Sequence, residues 1–426
     1  MRRPLVMAGL SVAALVSVAA AGRQIEARAG FANPKAITVV ADAARLAQAV
    51  TPGQLADLVL DRLHNFQRNP VWGHRDHNGK DRLKAWVWTY LARAAVVLYQ
   101  QTHDRRLIEA VLTRTADYAA AARPQNVQSA YGWYTDDAQT GTSYREVPVA
   151  GLIMAPVVDL LLAAQQDADL ELLVGPQRGA LMRMLEDAAA GVKDRYLEDH
   201  GHGYYLLPSG EDVVPLNLSS IYAEPLLGLW QLTHKPEYLR QVTGIARTWK
   251  TLLQQQPGKG VTWPYWPKPA PADLRKGPRE RLVKAAAGIM FPKAAYQAGI
   301  VLDRHDISAI AGVPFSTLMV QLDAGHVLIR KHVDPGSDSY LMANRADGDS
   351  PLALGAWYVY RCFDMRLAAD LDRVMFGIDA TFYQHNMLAL LGLAKRMAAE
   401  REPGGCADQD SAAAAQPMTK ATLPRT

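Results

Sequence analysis

The sequence predicts an all-α chain whose helices pair as antiparallel hairpins and close into a ring, and three observations predict it. Leu98-Tyr-Gln-Gln-Thr-His103 and Leu229-Trp-Gln-Leu-Thr-His234 echo each other at an offset of 131 residues. Each echo ends an apolar run and leads into an amphipathic one (Leu107, Ile108, Val111, Leu112 and Tyr118; Tyr238, Leu239, Val242 and Trp249), the mark of a helical hairpin used more than once. About ten segments carry helical periodicity, with no convincing strand ladder. The connections vary greatly in length and are rich in aromatic and charged residues, which suits closure into a ring better than a regular linear stack.

Taken in order, Met1-Arg-Arg-Pro and the apolar run Leu5 to Ala21 have the basic start, short apolar core and small residues of a secretory signal over 1–22. The competing reading is an uncleaved membrane anchor, because the run approaches spanning length. Thr51-Pro-Gly-Gln then supplies an N-cap with Pro at N1 ahead of Leu55, Leu58, Leu60 and Leu63. Periodicity predicts further helices over 82–102, 105–122, 147–166, 176–196, 217–233, 236–255, 307–328, 352–367 and 383–400. Together they make one ring domain over 23–400. Three connections are long, at 125–145, 200–216 and 257–286, and short β-hairpins fit within them, as around Gly203-Tyr-Tyr-Leu-Leu207. The segment 401–426 has too little apolar surface to fold and reads as a disordered tail.

With 49% hydrophobic and 21% charged residues the 426-residue chain has the composition of a folded soluble protein. A net charge of +4, spread along the chain, gives a mild preference for anionic partners, and the absence of a basic block argues against nucleic acid. Cys362 and Cys406 are the only cysteines, and the setting of Cys406 in a Gly/Ala/Pro-rich tail argues against a structural disulfide. No nucleotide-binding glycine loop, nucleophile elbow or zinc-peptidase motif is present, so no nucleotide, metal or other cofactor is expected.

Residues with chemical potential fall in the long connections. Tyr131-Gly-Trp-Tyr-Thr-Asp-Asp137, containing Trp133, Asp136 and Asp137, is followed by Tyr144-Arg145-Glu146 at a helix start. Aromatic rings stack on sugar faces, while carboxylates bind hydroxyls or move protons; alternatively the aspartates mark an exposed turn and Glu146 caps a helix. Asp199-His-Gly-His-Gly-Tyr-Tyr205 places His202 and Tyr205 on a Gly-rich turn, with no third ligand at a familiar metal spacing. Asn217 begins a hairpin helix, where an amide either points into the ring or caps the helix. Trp263-Pro-Tyr-Trp-Pro-Lys-Pro269 holds Trp263, Tyr265 and Trp266 on a strip that proline keeps out of helix, so some rings should line a groove. Arg304, His305 and Asp306 stand at another helix start, as anion site and proton carrier or as cap and solvated neighbours. Trp357 completes an aromatic lining or belongs to the core.

With these residues the chain resembles the (α/α)-toroid carbohydrate-active proteins, particularly the helical domain of D-glucuronyl C5-epimerase-like proteins and the toroid polysaccharide lyases. The resemblance is one of layout over Gln67 to Met397. It rests on the echo, the Asn217 helix, Trp263-Pro-Tyr-Trp266 and Asp303-Arg-His-Asp-Ile-Ser308, which is similar to a Glu-Asp-Ile-Ser-His pattern of such toroids with the His moved ahead of the Asp. It implies proton abstraction at C5 of a uronic acid residue in a polysaccharide or oligosaccharide, and the N-terminal signal predicts a protein of the periplasm or exterior. Arg304, Arg145 or Asn217 would neutralise the substrate carboxylate, and Tyr144, Tyr265 or His305 would take the proton. A glycoside hydrolase using Asp136, Asp137 and Glu146 is the alternative on the same ring, as is a non-catalytic glycan-binding or export accessory protein.

Overall fold

A computed structural model describes residues 36–67, 80–122, 132–136, 143–207, 210, 212–256, 260–267, 279–323, 325–341 and 350–401. The expected signal at 1–22 and nearly all of the expected tail at 401–426 lie outside them. The chain opens with β1 (Ile37–Thr38), α1 (Ala43–Ala49), α2 (Pro52–Gln67), α3 (Lys80–Thr102) and α4 (Arg105–Ala121). It continues through β2 (Tyr134–Asp136), β3 (Ser143–Arg145), α5 (Val147–Ala164), α6 (Ala168–Val174) and α7 (Arg178–Gly191). Next come β4 (Tyr196–Asp199), β5 (His202–Tyr205), α8 (Leu216–Thr233), α9 (Pro236–Leu252), β6 (Gln254–Gln256) and β7 (Gly260–Thr262). The last third holds α10 (Leu282–Gly288), α11 (Met290–Gln297), α12 (Arg304–Ala311), β8 (Met319–Asp323), β9 (His326–Ile329), a 3₁₀ helix (Pro351–Tyr360), α13 (Arg366–Ile378), α14 (Phe382–His385) and α15 (Met387–Arg401).

The contacts close a ring. α3 packs on α5, α5 on α8, α8 on α10, α10 on the 3₁₀ helix, that helix on α15, and α15 returns to α3. A second layer backs these walls, with α2 and α4 behind α3, α7 behind α5, α9 behind α8 and α13 behind the 3₁₀ helix. The fold is therefore an (α/α) toroid with small β-hairpin inserts, as the sequence predicts. α5 shows why inner walls are readable. It is apolar on every side and long enough to cross a membrane by composition, yet 83% of it is buried within the ring. Its Gly151 permits the approach to α8, since a Cβ there would stand 2.6 Å from the Tyr222 Cα. Gly392 does the same for α15, where a Cβ would lie against the Gly355 carbonyl of the 3₁₀ helix.

The echo is a shared helix ending. His103 (φ 53°) and His234 (φ 56°) are left-handed C-cap residues. Each backbone N–H returns to the residue four earlier (Tyr99 O, 2.7 Å; Trp230 O, 2.6 Å), and each imidazole meets that residue's ring edge-on. Thr102 and Thr233 donate to Leu98 O and Leu229 O in the same way. These histidines are turn residues.

Several expectations need correction. The predicted helix at 307–328 is α12 to Ala311 and a π-helical turn at Pro314–Leu318 only, and the strands 319–323 and 326–329 pair as β8 and β9; Met319-Val-Gln-Leu-Asp and His326-Val-Leu-Ile are β-formers whose apolar content mimicked a helix face. β1 joins that hairpin, pairing Ile37 with Val327, and Val40 N donates to Arg373 O of α13 at 3.0 Å. The predicted helix over 352–367 is a 3₁₀ wall followed by a turn, and α10 and α11 emerge where connection sequence was read. Cys362 is disulfide-bonded, against the expectation; the chain's other cysteine, Cys406, lies outside the described residues.

Candidate functional site

Outer elements separate each inner wall from the next, and the inserts precede the starts of the walls. Hydrogen bonds draw the inserts together there. Leu216 N, at the start of α8, donates to Tyr265 O at 3.0 Å. The strip 263–267 bridges Pro264 to Arg279, and Arg281, which precedes α10, bridges to His332. Val333 N donates to Glu280 O at 2.7 Å. The mouth is thus built from the starts of α8 and α10, the strip across them and the segment after β9.

Asn217 lies at the centre of this arrangement. It is 0% exposed, and neither its amide nitrogen nor its carbonyl oxygen has a hydrogen-bond partner. Sealing an amide without partners costs about 1–3 kcal/mol, so a buried orphan asks for a reason. Pro215 occupies the N-cap position of α8, so the amide caps nothing. Glu146 holds the N-cap position of α5 without a side-chain cap bond and is 7% exposed. Gly151 of α5 touches Ile221 and Tyr222 of α8. Glu146 lies five residues before Gly151 and Asn217 four before Ile221, so both stand about one turn toward the mouth from that crossing.

Above Asn217 the strip divides its aromatics. Trp266 is 36% exposed, and its ring meets that of half-buried Tyr265 edge-on at 5.0 Å. Burial, reinforced by Glu280, raises the Tyr265 phenol above its ordinary range. Trp263 is 0% exposed, packs at 5.3 Å from Trp249 and donates its indole N–H to Glu280 Oε2 at 2.6 Å. Glu280 is also 0% exposed, its Oε1 has no hydrogen-bond partner, and burial pushes its carboxyl up to about 8. Sequence reasoning missed Glu280, because one acid beside Arg279 and Arg281 reads as a solvated charge run.

The remaining predicted residues separate. Trp133 is a core staple, 2% exposed and donating to Tyr118 O at 2.9 Å. Trp357 is 0% exposed and donates outward to Ile310 O of α12 at 3.0 Å. Tyr205 is 0% exposed, with its hydroxyl donating to Gln241 Oε1 at 2.8 Å. As placed, these rings and that of Trp263 are closed to a sugar face, because the apolar area that would stack on substrate is spent inside the ring. His202 is half-buried on β5, its basicity lowered by burial and by Arg247. Asp306 completes a capping box with Asp303, both carboxylates face Lys250 of α9 (2.7 and 3.0 Å), and His305 meets Gln255. Arg304, His305 and Asp306 therefore begin α12 against the end of α9 and β6. Tyr144 and Arg145 lie on β3, pairing with Thr135 and Tyr134, and Asp136 pairs with Ser143; their side chains, and all of Asp137, lie outside the described part. Among the described residues no group of three His, Cys, Asp or Glu is placed to hold a metal.

No protein-family model matches the chain, and no curated protein matches it. Among solved structures it is similar to the unsaturated glucuronyl hydrolase of Bacillus sp. GL1, with 12% identity, 77% of this chain and 83% of that one covered, and a TM-score of 0.45. It is also similar to the GH76A α-1,6-mannanase of Salegentibacter sp. HEL1_6, with 12% identity, 82% and 100% coverage and a TM-score of 0.42. An inactive variant of that mannanase in complex with α-1,6-mannotriose gives 0.43 at the same identity and coverage. The toroid itself stands on the chain's own contacts.

Proposed function

We propose that the protein is exported and acts on a polysaccharide or oligosaccharide at the mouth of the ring, removing the C5 proton of a uronic acid residue as a lyase or epimerase does. The observation that carries this is Asn217, a buried amide with both hydrogen-bonding atoms unused at the start of an inner wall. With the strip 263–267 lifted from Leu216, an amide there can donate to a substrate carboxylate as it gains enolate character. The N-termini of α8 and α10 at this mouth add partial positive charge of the sign that the anion needs. Tyr265 fits the acid role better than the base role, because its raised phenol stays protonated at neutral pH and can hand a proton to a leaving oxygen. Tyr144, on the strand that leads into α5, and Glu146, at the start of α5, are then the candidates for the base.

One observation favours a glycoside hydrolase as second reading. Glu280, held protonated to about pH 8, would serve as the general acid of such a hydrolysis, with Glu146 as the second carboxyl. Glu280 is sealed beneath Trp263, so this chemistry requires the strip 263–267 to lift.

Incubation of the purified protein with uronate and neutral glycans separates the readings. Ultraviolet absorbance reports new double bonds, reducing ends without new double bonds report hydrolysis, and deuterium uptake at C5 from heavy water reports epimerisation. Tyr265→Phe is expected to lower turnover by about 10²-fold or more while binding persists. Binding with silence in all three assays sinks the enzymatic reading and leaves a glycan-holding protein.

A further inference from the structure

The inner walls enclose a bore, and a charged layer crosses it. α3 shows which side chains enter. Trp88 turns outward, its ring 5.4 Å from Tyr118 of α4, so the opposite stripe of Trp86, Tyr90 and Arg93 faces inward. Arg93 Nε donates to Asp159 of α5 at 2.8 Å, and its two terminal nitrogens donate to the two oxygens of Glu224 of α8 at 2.9 and 2.5 Å. Lys395 of α15 interacts electrostatically with all three. Tyr360, the last residue of the 3₁₀ wall, senses Glu224 and donates to the carbonyl of Ile289, just past α10. Every inner wall thus meets at one level.

Arg93 and Glu224 are 131 residues apart, the offset of the echo, and so are Trp86 and Asn217. Seven residues separate each upper member from the lower one, which places the mouth about 10 Å above the charged layer at 1.5 Å per residue. This shaft has sugar-binding character. Trp86 and Tyr90 are half-buried neighbours with ring centroids 6.1 Å apart. The Asp159 and Glu224 side chains keep 28% and 15% of their surface exposed, against 5% for Arg93. Lys395 is half-buried, with its amine depressed by burial and by Arg93. Acceptors, a donor and aromatic rings thus line the inner walls side by side with surface to spare.

We propose that the bore is a blind pocket that receives the terminal residue of a glycan chain, with Trp86 and Tyr90 as its wall and Asp159 and Lys395 on its floor. The protein then selects chain ends over chain interiors, because the Arg93 layer stops a polymer from threading. The inference rests on the glycan reading above and goes beyond it.

Calorimetric titration tests it, with oligogalacturonates, oligomannuronates and cello-oligosaccharides from disaccharide to hexasaccharide, and with each parent polymer. Short chains are expected to match the polymer in affinity per chain end, and polymer stoichiometry should follow the number of ends. Trp86→Ala and Lys395→Met should each weaken binding about tenfold, equivalent to about 1.4 kcal/mol, with Trp86→Phe restoring much of the loss and thermal melts confirming that each variant folds. Sites counted along the polymer interior, or silence from short chains while the polymer binds, overturn the pocket and leave the glycan reading standing. Affinity unchanged in both variants also overturns it. No binding at any length overturns both.

Discussion

Two buried polar side chains carry most of what is testable at the residue scale. Asn217 trades stability for an unused amide, so Asn217→Leu, nearly the same shape without the polar atoms, should raise folding stability by about 1–3 kcal/mol and abolish turnover. A lower denaturation midpoint would mean that the amide has a partner after all. Glu280 supplies a pH signature. Its carboxyl rises from an ordinary 4.5 to about 8 through burial, so the native chain holds a proton that the unfolded chain releases. That stability is fully present below about pH 4.5 and is lost as pH rises through about 8. Glu280→Gln keeps the acceptor for the Trp263 N–H and should flatten this decline in urea midpoints between pH 5 and 8. Retention of the slope would assign it to another group.

At the scale of elements, the echo's histidines close helices in a backbone region that side chains with a Cβ occupy at a cost of about 1–2 kcal/mol. His234→Gly should therefore stabilise by about 0.5–1 kcal/mol and His234→Val should destabilise by more than that, as read from thermal unfolding. Equal loss in both variants would show that the edge contact with Trp230 outweighs the backbone term. The misread elements share one cause. In 307–328 the apolar residues of β8 and β9 continued the pattern of α12, and periodicity alone does not separate a short apolar strand from a helix. α10 and α11 are seven and eight residues long, about two turns each, too short for a repeating amphipathic pattern to stand out.

For the whole molecule, the Arg93 layer couples walls that are far apart in sequence. Arg93→Met strands Asp159 and Glu224 together in the interior and should cost about 3–5 kcal/mol. Restoring neutrality with Glu224→Met, which leaves Asp159 beside Lys395, should recover much of that loss in chemical denaturation. A single substitution with no cost would show that the layer is solvated from both sides, and the bore would not be blind. N-terminal closure acts at the same scale, because β1 is paired with β9 and its continuation is bonded to α13.

The sequence by itself determined the helical hairpins and their closure into a toroid, and it marked the long inserts between hairpins as the places to look for a site. Periodicity, turn chemistry and apolar content are local, and each is written in consecutive residues. Only the tertiary structure decided which aromatics are available. Trp133, Trp263 and Trp357 match Trp266 in residue type and differ in what surrounds them. It also decided that Glu280 is sealed and that Arg93 meets Asp159 and Glu224. Burial and charge pairing are set by neighbours tens to hundreds of residues away, and no local pattern encodes them.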